Sequence, residues 1–137
     1  MSFVLDASAT IALLYGEALP AELKQLEKAI RHADALVPQL WHLEVANVLL
    51  MGLRKNRHDL NGIRGYLSDL SRPLITVDGE TQRRAWDSVL ELAAKHRLTS
   101  YDAVYLELAV RMRAPLATLD RDLIRAAKAE GVALFWS

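Results

Sequence analysis

The chain has 137 residues, of which 52% are hydrophobic and 25% charged. That composition fits one folded domain with a sizeable core and excludes a disordered chain. Its 17 basic and 17 acidic residues cancel, so there is no global nucleic-acid footprint, and the absence of cysteine excludes disulfides and thiolate metal sites.

In chain order, residues 3–5 form a short apolar strand that stops on Asp6, and "ASATIALLYGE" (7–17) follows as a helix. Pro20 suits the first turn of a second helix, "PAELKQLEKAIRHA". "ALVP" (35–38) reads as a strand, and "QLWHLEVANVLLMGLRKN" (39–56) as a long, mostly buried helix. A weaker helix, "DLNGIRGYLSDL", precedes a third strand, "LITV" (74–77), with a turn at Asp78-Gly79. "ETQRRAWDSVLELAAKHR" (80–97) has one continuous amphipathic period, and "SYDAVYLELAVRMR" gives the next helix. "PLATL" is a strand ending before Asp120, "RDLIRAAKAEG" a helix stopped by Gly131, and "VALFW" (132–136) a last strand. Alternating βα units predict an α/β fold, a parallel sheet with helices on both faces.

No signal peptide is expected from the N-terminus, and "LWHLEVANVLLMGL" is too short, and too polar at Glu44 and Asn47, to span a bilayer. A cytoplasmic protein without membrane attachment is the expectation. The basic islands are local: residues 54–58, Arg83 with Arg84, and Arg111, Arg113, Arg121, Arg125 and Lys128. Each reads as a solvated helix end unless a shared surface makes them a phosphate rim.

Four acids stand out. Asp6 and Asp120 follow strands, and in parallel α/β sheets ligands bind outside the carboxyl ends of the strands. Glu44 lies within an apolar helix, sharing a face with Leu40, Asn47, Val48 and Met51. Asp102 opens a helix and shares its face with Tyr105, Leu106 and Ala109, while Glu107 and Arg111 mark a polar side. Each acid also has a purely structural reading. Asp6 and Asp120 fit as N-caps, Asp102 as the acid of a capping box begun at Thr99, and Glu44 as a side chain that reaches solvent. Asp78 is left out, because Asp-Gly is a turn signature. Two carboxylates about 5 Å apart repel by roughly 3 kcal/mol at an effective dielectric near 20. Four in one cleft therefore call for a cation. With only hard oxygen ligands on offer, Mg²⁺ or Mn²⁺ suits better than Zn²⁺.

"VLDAS", "LEVANVL", "LTSYDAVYLELA" and "LATLDRDL" resemble the four acidic motifs of the PIN domain, and the layout resembles the VapC toxins of toxin–antitoxin pairs. The resemblance spans nearly the whole chain as a single domain. It implies a Mg²⁺- or Mn²⁺-dependent endoribonuclease that hydrolyses RNA phosphodiester bonds. It also implies a homodimer and a small cognate antitoxin. Carried over by position, the catalytic acids are Asp6, Glu44, Asp102 and Asp120, with Asp6 and Asp102 as direct metal ligands. Ser8, Asn47 and Thr118 match the supporting polar residues, and Asp122 is a candidate for a second ion. A PIN-like module that binds RNA or a protein without cutting is the alternative. A phosphoacceptor receiver domain fails because Asp6 lacks an acidic neighbour, and a D-x-D phosphatase because Ser8 stands two residues after it. "GIRG" (62–65) copies the G-x-x-G of KH domains but reads as a loosened helix.

Overall fold

A computed structural model describes residues 2–16, 20–56, 58–70 and 75–136. Glu17, Arg57 and Leu74, which the sequence places in the first helix, a basic island and the third strand, lie outside those residues. The elements run β1 (Ser2–Leu5), α1 (Ala7–Tyr15), α2 (Pro20–His32), β2 (Asp34–Pro38), α3 (Leu40–Arg54), α4 (Leu60–Leu70), β3 (Ile75–Asp78), α5 (Thr81–Arg84), a π-helical turn (Ala85–Val89), α6 (Leu90–His96), α7 (Ser100–Met112), β4 (Leu116–Ala117) and α8 (Arg121–Ala129).

All four strands are parallel, in the order β3-β2-β1-β4. Successive side chains of a strand point to opposite faces. Phe3, Val4 and Leu5 of β1 and Ala35 to Pro38 of β2 are nonetheless all buried, so helices cover both faces of the sheet centre. β3 is the more exposed edge. The chain builds outward from β1 through β2 to β3, then crosses back to place β4 on the other side of β1. That reversal puts the topological switch point at the carboxyl ends of β1 and β4, where such sheets bind ligands.

The last strand does not form. Leu134 makes one isolated bridge to Leu116, because β4 is only two residues long and offers no ladder to extend. Phe135 instead packs its ring on Phe3, with centroids 5.0 Å apart. The single helix expected over 80–97 is also interrupted. The wide turn at Ala85–Val89 resets the helical phase, so that Val89 and Ala93 pack with Ala103 and Val104 while Arg84 reaches Glu107. It leaves Trp86 93% exposed.

Two further expectations are corrected. α3 is half-buried rather than mostly buried. Trp41, Val45, Leu49 and Gly52 face the core, whereas Leu43, Leu50 and Met51 are exposed and Glu44 sits on the border. Glu107 is not on a polar surface but is only 4% exposed, held between Arg84 and Arg111. None of the described helices is long and apolar enough to cross a membrane.

Candidate active site

Leu5 ends β1 in the core, and the next residue, Asp6, caps α1 by accepting from the Ala9 N–H at 2.8 Å. Its own N–H continues the pairing with β4, bonding to the Ala117 carbonyl at 3.2 Å. The cap reading of Asp6 is therefore correct, but it does not exhaust the carboxylate. Ser8 Oγ lies 2.8 and 2.9 Å from its two oxygens, and Thr118 Oγ1 donates to Oδ2. Thr10 Oγ1 donates to the Asp6 carbonyl at 2.7 Å and accepts from Trp41 Nε1 at 2.9 Å. Asp6 is thus gripped from β1, α1 and the β4–α8 loop, with 3% exposure. Burial pushes its pKa up to about 6 despite the Thr118, Ala9 and Ser8 bonds, which favour the charged form, and the charge of Asp120 adds to the rise.

Asp120 is likewise a cap. Its Oδ1 accepts from the Leu123 N–H at 2.9 Å at the start of α8. Its own N–H donates to Thr118 Oγ1 at 3.0 Å, and the Leu119 N–H donates to Ser8 Oγ at 3.0 Å. Ser8 and Thr118 therefore stitch the two strand ends together across the switch point.

Asp102 enters from α7, whose N-cap Thr99 accepts from the Asp102 N–H at 3.1 Å. Half-buried, its carboxyl is raised by desolvation first and then by the charge of Asp120, with Asp122 adding to it. Glu44 enters from the border of α3. Burial raises its carboxyl, the charge of Asp102 raises it further, and a hydrogen bond from the Tyr105 hydroxyl opposes both. That bond is 2.5 Å long. The four acids thus form a chain of repulsions running from Glu44 through Asp102 and Asp120 to Asp6.

No basic side chain among the described residues forms an ion pair with Asp6, Glu44, Asp102 or Asp120. Asp78 shows the contrast. It too ends a strand, but Arg111 bonds its two oxygens at 3.0 and 2.8 Å and holds its carboxyl below the usual range. The four acids, Asp6 buried and the other three partly exposed, carry negative charge that no basic side chain among the described residues pairs. A hard divalent cation fits that donor set. The carboxylates are not closed around a point, however: no three acidic or histidine side chains among the described residues form a preformed cation cage.

Three residues of the basic islands are engaged within the fold. Arg84 and Arg111 are bound to Glu80, Glu107 and Asp78, and Arg125 to the His96 carbonyl and Asp122. Asn47 is exposed on α3, one turn beyond Glu44. Asp122 sits in the first turn of α8, 3.6 Å from Arg125.

The profile of the PIN domain matches residues 3–129. The chain belongs to the PIN domain family. It is 34% identical over 125 residues to ribonuclease VapC3 of Pyrobaculum aerophilum, covering 90% of this chain and 92% of that one. The crystal structure of PAE2754 from Pyrobaculum aerophilum superposes with a TM-score of 0.72 at 27% identity, covering 99% of this chain and 85% of that one. VapBC2 of Rickettsia felis, solved bound to a DNA fragment from its promoter, shares the fold with a TM-score of 0.64 at 17% identity, covering 98% and 97% of the two chains.

Three residues of this PIN domain's site escape a reading of the sequence for acids. Thr10 and Trp41 brace the Asp6 backbone, and Tyr105 holds Glu44. Helical spacing offered a signal for each, since Thr10 is four residues from Asp6, Trp41 three from Glu44 and Tyr105 three from Asp102.

Proposed function

We propose that this PIN domain is a Mg²⁺- or Mn²⁺-dependent endoribonuclease, the toxin of a toxin–antitoxin pair. The observation that carries the reading is the set of four acids around the carboxyl ends of β1 and β4, three of them raised by desolvation and none with a basic partner among the described residues. The related ribonuclease VapC3 supports RNA as the substrate.

Asp6 and Asp102 would hold the cation, with Glu44 and Asp120 completing the negative field. When bound, such an ion supplies positive charge against the scissile phosphate and lowers the pKa of a water. The chain's own residues do the rest. Ser8 and Thr118 fix both Asp6 oxygens, so the carboxylate is aimed before any ligand arrives. Glu44, which is not one of the two ligands and whose carboxyl burial raises, is suited to take the proton that water gives up on attack. Without a cation the acids would repel an RNA phosphate.

The same uncompensated charge suits inhibition by a small cognate antitoxin that inserts a basic side chain. A guanidinium pairs with a carboxylate in bidentate fashion and would stand in for part of the cation's charge. A homodimer belongs to the same reading, and sedimentation analysis of the purified chain tests it.

The decisive experiment incubates the protein with single-stranded RNA in Mg²⁺, in Mn²⁺ and in chelator, beside Asp6→Asn and Asp102→Asn. Cleavage that needs the ion and both acids is the expected result. RNA binding without cleavage in either metal would favour the non-catalytic module instead.

A further inference from the structure

Glu44 differs from the other three acids in how it is held. The Asp6 and Asp120 carboxylates cap helices, and Asp102, also a short side chain, lies in the first turn of one. Glu44 stands in the second turn of α3, on a longer side chain with three rotatable bonds. Its neighbours Leu43 and Asn47 are exposed. The charge of Asp102 pushes on its carboxylate, and solvent lies along the same helix border. An unheld glutamate there would swing outward.

Tyr105 opposes that motion. It belongs to α7, three residues after Asp102, and its side chain is 1% exposed within the main core. Packing fixes the ring, and the ring aims one polar atom across the gap between α7 and α3. The hydroxyl donates to Glu44 Oε1 at 2.5 Å. A buried phenol needs such a partner. Burial, the Glu44 bond and the charges of Glu44, Asp6 and Asp102 all raise its pKa, so the hydroxyl remains a donor.

We propose that Tyr105 is a positioning residue of the acidic site: its buried hydroxyl ties down one oxygen of Glu44, holds that carboxylate beside Asp102, and leaves the second oxygen for the cation or its water. The inference rests on the metal-dependent nuclease reading but goes beyond the four acids. It assigns a role to a residue that touches neither substrate nor metal.

Tyr105→Phe removes only the hydroxyl and keeps the ring that the core needs. The experiment measures Mn²⁺ affinity by titration calorimetry and RNA cleavage for the wild type, Tyr105→Phe, Glu44→Gln and the double variant, with melting curves in chelator for each. Loss of a group that orients a ligand weakens metal affinity by roughly 10- to 100-fold. That loss is expected for Tyr105→Phe, with a melting curve that stays cooperative. Because Tyr105 acts through Glu44, the double variant should bind Mn²⁺ no more weakly than Glu44→Gln alone. Two results overturn the inference: a Tyr105→Phe affinity equal to the wild type, or a double variant showing both losses in full, which would mark a merely structural tyrosine. Wild-type protein that neither binds Mn²⁺ nor cleaves RNA would overturn the nuclease reading and this inference with it. Wild-type function beside an unimpaired Tyr105→Phe overturns the inference alone.

Discussion

Thr118 and Asp6 lie 112 positions apart, yet one hydroxyl joins them: Thr118 Oγ1 donates to Asp6 Oδ2 and accepts from the Asp120 N–H. A single buried side chain therefore couples the ends of β1 and β4. Thr118→Val keeps the shape and removes both bonds. Hydrogen bonds to charged groups contribute about 1.5–3 kcal/mol, so a loss of that order is expected. The bond favours the ionised carboxylate, so the loss should be larger at pH 7.5 than at pH 5, where Asp6 takes up its proton. The acid limb of the cleavage profile should move to higher pH, because without that bond the Asp6 carboxyl holds its proton more tightly. Thr118→Ser, which keeps the hydroxyl, should shift neither quantity much. Melting in chelator at the two pH values and a pH–rate profile check both claims.

Gly52 marks a second buried contact, away from the acids. A Cβ there would lie 2.3 Å from His58 Cε1 and 2.8 Å from Nε2. The imidazole cannot easily retreat. Its Nε2 is 2.8 Å from the Leu49 carbonyl, and its ring packs edge-on to Tyr66. Gly52→Ala should therefore destabilise the fold, by the roughly 1–3 kcal/mol of overpacking less the ~1 kcal/mol that alanine regains inside α3. Urea unfolding measures it. An unchanged midpoint would mean that His58 moves freely.

The site was legible where chemistry and local pattern coincide. The apolar run that stops on Asp6 placed that acid at the end of β1, and the helix starting at Ser100 placed Asp102; Asp120 lies beyond Thr118 and Leu119, which are loop because β4 ends at Ala117. What stayed hidden depends on residues brought together from afar. The Tyr105–Glu44 bond joins side chains 61 positions apart. Glu107 read as surface because helical periodicity ranks a glutamate by its polarity. It is buried because Arg84 and Arg111 neutralise it there. The strand order could not be read from short apolar runs that all look alike. "VALFW" has strand composition, but a strand also needs a partner, and the two residues of β4 give Leu134 one bridge.

Arg111 is the centre of that hidden cluster. Its guanidinium bonds Asp78 at 3.0 and 2.8 Å, Glu80 at 3.0 Å and Glu107 at 2.8 Å. Removing one partner of a buried pair costs about 3–5 kcal/mol, because the other charge is left desolvated. Arg111→Met should approach that range, moderated by Arg84, which stays 3.5 Å from Glu107. Adding Glu107→Gln should recover part of the loss by removing the stranded charge. Urea titration of the single and double variants tests this. Equal stability of Arg111→Met and the wild type would show that the cluster is solvated in practice.

Asp6 makes the most direct link between stability and function. Its carboxyl is raised from 3.8 to about 6 in the folded protein. A raised acid binds more protons folded than unfolded, so stability falls as pH rises through the window from about 4 to 6. A shift of this size corresponds to roughly 3 kcal/mol of destabilisation once Asp6 is ionised. Glu44 and Asp102, also raised, act in the same direction. Asp6→Asn cannot ionise but retains an oxygen for the Ala9 N–H. In chelator at pH 7.5 the variant should therefore melt at or above the wild type, and the gap should close as pH falls toward 4. Mn²⁺ should raise the melting temperature of the wild type and not of the variant, since only a ligand bound to the folded state stabilises it. RNA cleavage should disappear in the variant while its fold remains. The opposite pattern is equally clear. If Asp6→Asn melts well below the wild type at pH 7.5, the negative charge at the N-terminus of α1 stabilises the helix. Asp6 would then be first a cap, and the rise in its pKa would not reflect a site that waits for a cation.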